Sequence, residues 1–320
     1  MKDKLDDGWC FLSQNWQLVR DVVVQTISTE IKVSSEIFRS EPPIDGRVEL
    51  GRGLWIGPLG HETVNMVYDG CNPRGLNFDQ TRRFSSHYCF VREQRSLGVA
   101  SVVWDDDGML RRCIALSRLV HPTTISTLIS ARLLYQDGRI DMPSMIVPVP
   151  PQGMGDFAWV NDNSWRNWLT NDEALELKGL IASYNFDAMP FRVKRAMRHF
   201  DYACLTHYPD VRLTLVVTGL EALVNNRKGK EGRRFRKRIA LLSKDAGMDV
   251  SEDVAGQAYE YRSSLVHGQG MLPQEIDNQF IEVYGIVETL LRRIVRKCVE
   301  DPSFSSHFEG VEAIEKMYPL

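Results

Sequence analysis

The run Tyr259-Glu260-Tyr261-Arg262-Ser263-Ser264-Leu265-Val266-His267-Gly268 puts an arginine, a hydroxyl and a histidine within one short stretch. These side chains suit phosphodiester chemistry. Cleaving RNA without a metal takes a base for the 2′-hydroxyl proton, an acid for the leaving 5′-oxygen and a fixed cation for the phosphorane charge. Histidine titrates at about pH 6.5, so His267 can serve as base or acid near neutrality. Arg262 stays charged and can grip two non-bridging phosphate oxygens by parallel hydrogen bonds. Ser263 can orient the imidazole or a phosphate. One site per chain supplies one histidine, so two chains would bring both acid and base to one scissile bond. A homodimer is expected on that ground.

The element that must hold these residues is an amphipathic helix. Val254, Ala258, Tyr261 and Leu265 recur at helical spacing, and Gly268 is the residue that a left-handed C-terminal cap favours. Ser263 and His267, four apart, share a face. Arg262 precedes His267 by five positions, about 140° of rotation and about 7.5 Å of rise on an ideal helix, so their stubs diverge. Only the long guanidinium side chain could reach a groove that the imidazole borders. The spacing alone is weak, because Arg82-Arg83-Phe84-Ser85-Ser86-His87 repeats it ahead of the strand-like Tyr88-Cys89-Phe90-Val91. Two cations near a helix C-terminus also suit its carbonyl dipoles without any catalytic role.

Two pieces of the chain resemble the HEPN superfamily, and within it the Apea-like HEPN domains. One is Tyr261-Arg262-Ser263-Ser264-Leu265-Val266-His267-Gly268. The other is Thr218-Gly219-Leu220-Glu221-Ala222-Leu223, followed by a basic helix around Arg233, Phe235, Arg236, Ile239 and Ala240. The resemblance spans roughly residues 170 to 300. It implies that Arg262 and His267 are the catalytic pair of a metal-independent endoribonuclease, in a cleft shared by two protomers of an all-α HEPN-type bundle. Many family members carry Asn, Asp or His after the arginine, where this chain has Ser263. The resemblance also implies a setting in bacterial defence or a toxin system. Its alternative is a non-catalytic HEPN module that binds RNA or a nucleotide, or mediates protein assembly.

Composition bounds the reading further. A chain of 320 residues with ordinary apolar content is long enough for two domains, and a net charge of −3 confines any nucleic-acid site to a local patch. Such a patch runs from Arg227 to Arg238, with Arg227, Lys228, Lys230, Arg233, Arg234, Arg236 and Lys237 as the expected RNA contacts. A solvated charged segment is the plain alternative. Glu221 lies on a mostly apolar face, where an ion pair with a bundle arginine such as Arg262 is expected; Tyr261 supports the motif from the buried stripe. The six cysteines are scattered, with no CxxC and no histidines at metal-ligand spacing, so neither a metal nor a cofactor is expected. GxSxG, Walker A and HExxH patterns are missing too, which removes the common hydrolase and kinase classes. Without a signal core or a membrane-length apolar run, the chain reads as cytoplasmic.

Taken in order, the chain is expected to be α+β: a mixed α/β domain over residues 1–168, an all-α helical bundle over 169–302 and a C-terminal tail over 303–320. Strands are predicted at Val22–Ile27, Val48–Leu50, Leu54–Ile56, Asn65–Tyr68 and Tyr88–Val91. A hairpin is predicted to join Val99–Trp104 to Met109–Ile114 through Asp105-Asp106-Asp107-Gly108, and a helix to follow Pro122 with Ile125, Leu128, Ile129 and Leu133 on one face. The first domain could sense a trigger, a regulatory protein or a ligand. Prolines and glycines between Pro143 and Gly155 precede the change to helical patterning. The predicted stripes are Leu175, Leu180, Ile181, Tyr184; Val193, Met197, Phe200, Cys204; Leu213, Val217, Leu220, Val224; and Phe235, Ile239, Leu242. A last long helix carries Ile276, Phe280, Val283, Val287, Leu290 and Ile294, nearly a heptad seam for a second copy, up to Asp301-Pro302.

Overall fold

The computed structural model describes residues 21–28, 44, 46–52, 54–58, 87–94, 109–121, 127–136, 139–141, 146–148, 169–206, 208–225, 231–268 and 278–320. They are mainly helical with an antiparallel sheet, an α+β composition. The chain divides into two compact units, Met1–Ala182 and Ser183–Leu320. No described helix is long and apolar enough to cross a membrane.

In the first unit, β1 (Asp21–Ser28), β2 (Val48–Gly51), β3 (Leu54–Pro58) and β4 (His87–Gln94) fall where β-branched and aromatic residues predict them. With β5 (Thr127–Gln136), β6 (Arg139–Asp141) and β7 (Ile146–Pro148) they form one sheet in the order β2-β3-β4-β1-β5-β6, with β7 also paired to β5. Every pairing is antiparallel. Gly51 and Arg52, at the end of β2, both take positive φ.

Two sequence expectations fail in this unit. Met109–Val120 is a helix, α1, and not the second arm of a hairpin. Met109, Cys113, Leu116 and Val120 are buried at helical spacing, a stripe that the acidic Asp105-Asp106-Asp107-Gly108 turn signal obscures. Conversely, the helix expected after Pro122 is β5, which pairs with β1, β6 and β7. Its near-continuous apolar run fits both periods, and its sheet partners decide between them. The register pairs Gln136 of β5 with Arg139 of β6. The Asn65–Tyr68 and Val99–Trp104 expectations lie outside the described residues. Helix α2 (Asn171–Ser183) opens with a capping box: Thr170 N–H donates to Glu173 Oε2 at 2.8 Å and Glu173 N–H to Thr170 Oγ1 at 3.3 Å. Ala174, Leu177, Leu180 and Ile181 are its buried face, and Leu175, expected there, is 55% exposed.

The second unit packs α3 (Phe191–Leu205), α4 (Pro209–Val224), α5 (Glu231–Asp245), α6 (Glu252–Val266) and α7 (Asn278–Glu300). The stripes of α3, α4 and α5 are buried as their spacing predicts. Each fully buried Val, Leu, Ile or Phe contributes about 1.5–3 kcal/mol to the fold. Close approach is set by glycines. A Cβ on Gly219 of α4 would stand 2.8 Å from Leu291 Cδ2 of α7 and 3.4 Å from Ala196 O of α3. Between α5 and α6 the fit is reciprocal: Gly232 accommodates the Tyr259 ring, and Gly256 the Arg236 stem.

Phe280, Val283, Val287, Leu290 and Ile294 of α7 are all buried within the protomer, and Ile276 lies outside the described residues. The heptad-like seam is therefore filled by the chain's own core and is not a free face for a second copy. Beyond α7, residues 303–320 are folded rather than a loose tail. Asp301 caps α8 (Pro302–Ser305), a 3-10 turn follows, and α9 spans Val311–Met317. Phe304, Phe308, Ile314 and Tyr318 are buried there, and the Tyr318 hydroxyl donates to Asp245 Oδ2 at 2.9 Å.

Candidate active site

Helix α6 begins at Ser251, whose side chain accepts the Val254 N–H, and Glu252 and Asp253 complement the positive end of its dipole. Its buried face is made of Ala255, Gly256 and Ala258, small residues that let the helix lie close against α5. Tyr261 meets Phe280 edge-on at 5.3 Å between ring centroids, which ties α6 to α7. At the other end, His267 is the C-cap residue and donates its backbone N–H to Ser263 O at 3.1 Å. Gly268 follows at φ +76°, the left-handed conformation its type predicts. The His267 side chain is exposed.

Arg262 points to α4. Its Nη2 is 2.9 Å from Glu221 Oε2, the ion pair expected from the sequence, with side chains 24% and 14% exposed. Asn225, one turn beyond Glu221, donates its amide to Glu221 Oε1 at 3.2 Å. Both carboxylate oxygens are thus engaged, while Arg262 Nε is buried with no hydrogen-bond partner. Burial pushes the Glu221 carboxyl above the usual range, the Arg262 charge and the Asn225 amide pull it back, and nearby Glu231 raises it again. Burial and the Glu221 charge raise the Tyr259 phenol as well. The end of α4 is held from outside by Arg192 of α3, which donates to Ala222 O at 2.9 Å and Asn225 O at 2.8 Å.

Arg262 and Ser263 are half-buried, whereas His267 stands at the open helix end. Within one protomer Arg262 engages Glu221 and not His267, in keeping with the divergence of their stubs. Of the expected RNA contacts, Arg233 and Arg236 are exposed and Arg234 and Lys237 half-buried on α5, while Arg227, Lys228 and Lys230 lie outside the described residues. Arg238, last of the basic run, is 1% exposed and donates to Val224 O at 2.7 Å and Tyr318 O at 3.0 Å. That charge braces the fold and belongs to no surface patch. Among the described residues no three His, Cys, Asp or Glu side chains gather as a metal site needs.

Sequence reasoning missed Asn225 and Arg192. Asn225 could have been found, since it follows Glu221 by four on one helix. Arg192 carries no such signal, because its partners are backbone carbonyls of another helix. Comparison of the chain with family models, curated proteins and solved structures returned no match.

Proposed function

We propose that the second unit is an Apea-like HEPN bundle that cleaves RNA without a metal, by attack of the 2′-hydroxyl on the adjacent phosphorus. In this reading His267 exchanges protons with the 2′-oxygen or the leaving 5′-oxygen, Arg262 binds the phosphate oxygens and Ser263 orients one of them. The basic face of α5 holds the strand. A second protomer supplies the other histidine, and a defence or toxin role is the setting. The observation that carries the reading is Arg262, anchored by Glu221 with its Nε unpartnered, five residues before an exposed His267.

A second reading has its own support. Arg262 is already neutralised by Glu221, and a single chain does not bring His267 to it, which suits a HEPN module that binds RNA or a nucleotide, or mediates assembly, without cutting. Incubating the purified chain with total RNA in excess chelator separates the two. Fragments ending in 2′,3′-cyclic phosphate and 5′-hydroxyl, formed by a dimer and absent with His267→Ala, support cleavage. A dependence on magnesium, or retention with no cutting, rejects it.

A further inference from the structure

Helix α3 carries a surface that neither the motif nor the basic run of α5 involves. Phe191, Arg195, Arg198 and Tyr202 fall within roughly 60° of one another around its axis, opposite the buried Val193, Met197, Phe200 and Cys204. Phe191 is 73% and Tyr202 48% exposed, and both arginines are exposed between them. The Arg195 guanidinium lies 6.0 Å from the centre of the Phe191 ring. No ion pair among the described residues engages Arg195 or Arg198. The helix has no acid in its first turn and no side-chain cap at Pro190, so its own dipole adds to the positive charge. Asp201, its one acidic residue, lies to the side of the line.

From this line we infer that α3 is a track for single-stranded RNA, resting on the reading of this unit as one that acts on RNA. Unpaired guanidinium groups attract phosphates, and the exposed aromatic rings at either end of the line offer faces on which unpaired bases stack. A duplex supplies phosphates but no open base faces. The line extends about 16 Å. Its Phe191 end adjoins the candidate site, because neighbouring Arg192 binds Ala222 O and Asn225 O, and the Asn225 amide holds Glu221. A strand whose scissile phosphate sits at Arg262 would thus lay a flank along α3.

The test is fluorescence anisotropy on the full chain with a single-stranded RNA, the matching duplex and heparin across a salt series. Arg195→Ala with Arg198→Ala should lower the salt slope for the single strand by about 1.4 and weaken binding to all three probes. Phe191→Ala with Tyr202→Ala should weaken the single strand by about 30-fold or more and leave duplex and heparin unchanged. All four residues lie on the exposed face, and unchanged melting of the variants confirms their fold. Wild-type binding of the single strand by every variant overturns the track and leaves the cleavage reading standing. Binding lost in the variants, with no cutting by wild type, supports the track and removes the cleavage reading. Equal loss on all probes with the aromatic pair would overturn base stacking.

Discussion

Two carboxylates lie in the same bundle and meet opposite fates. Glu221 sits at the end of α4 with both oxygens engaged, by Arg262 at 2.9 Å and Asn225 at 3.2 Å, and keeps partial access to solvent. Glu288 sits inside α7, 6% exposed, with Arg292 Nε at 3.8 Å and no hydrogen bond to Oε1. Burial raises its carboxyl above the usual range against the opposing charges of Arg292 and Arg212. Arg212 is itself 2% exposed and donates to Thr206 O. The contrast teaches that charge in a helical stripe has no single meaning: the pair at a helix end keeps partial access to solvent, and the sealed cluster can only affect stability and the choice of packing.

If that contrast holds, substitutions at the two clusters separate activity from stability. His267→Ala should lower RNA cleavage in chelator by about 10²–10⁴ with little change in melting temperature, since the side chain is exposed. A smaller loss breaks the functional half of the comparison. Arg212→Met should lower unfolding free energy by about 3–5 kcal/mol in a denaturant titration, because it strips one counter-charge from buried Glu288. An unchanged midpoint breaks the structural half.

Gly219→Ala comes next, at about 1–3 kcal/mol, because its Cβ would press on Leu291 and the α3 backbone. Asn225→Ala should cost about 0.5–1.5 kcal/mol, since Glu221 keeps Arg262 when the amide is lost. The pH dependence sharpens the contrast further. A carboxyl raised on folding binds its proton more tightly in the native state, so its contribution to stability falls as pH climbs from the ordinary glutamate value toward the raised one. Melts across that window should show this fall, and Glu288→Gln should flatten it.

Much of the second unit was legible. The stripes of α3, α4 and α5 repeat every three or four residues, so one period identifies both the helix and its buried face. Gly268 and the Glu221–Arg262 pair were readable for similar reasons, local backbone chemistry in one case and an unbalanced charge on an apolar face in the other. In the first unit, α1 and β5 were exchanged for the wrong element type. Short apolar runs satisfy both periods, and only the strands beside β5 resolve it. The fate of the α7 seam was equally hidden, because an apolar stripe records that it is covered, not by which chain.

By itself the sequence determined what local forces decide: helix faces, the left-handed turn at Gly268, the break at Asp301-Pro302 and the position of the arginine, serine and histidine. The tertiary structure alone decided which charges face solvent. It turned Arg238 inward onto the Val224 and Tyr318 carbonyls, joined Arg192 to the end of α4 and left Arg195 and Arg198 outside. The reason is that a guanidinium is placed by the acceptors that converge on it, and those come from segments far apart in the chain.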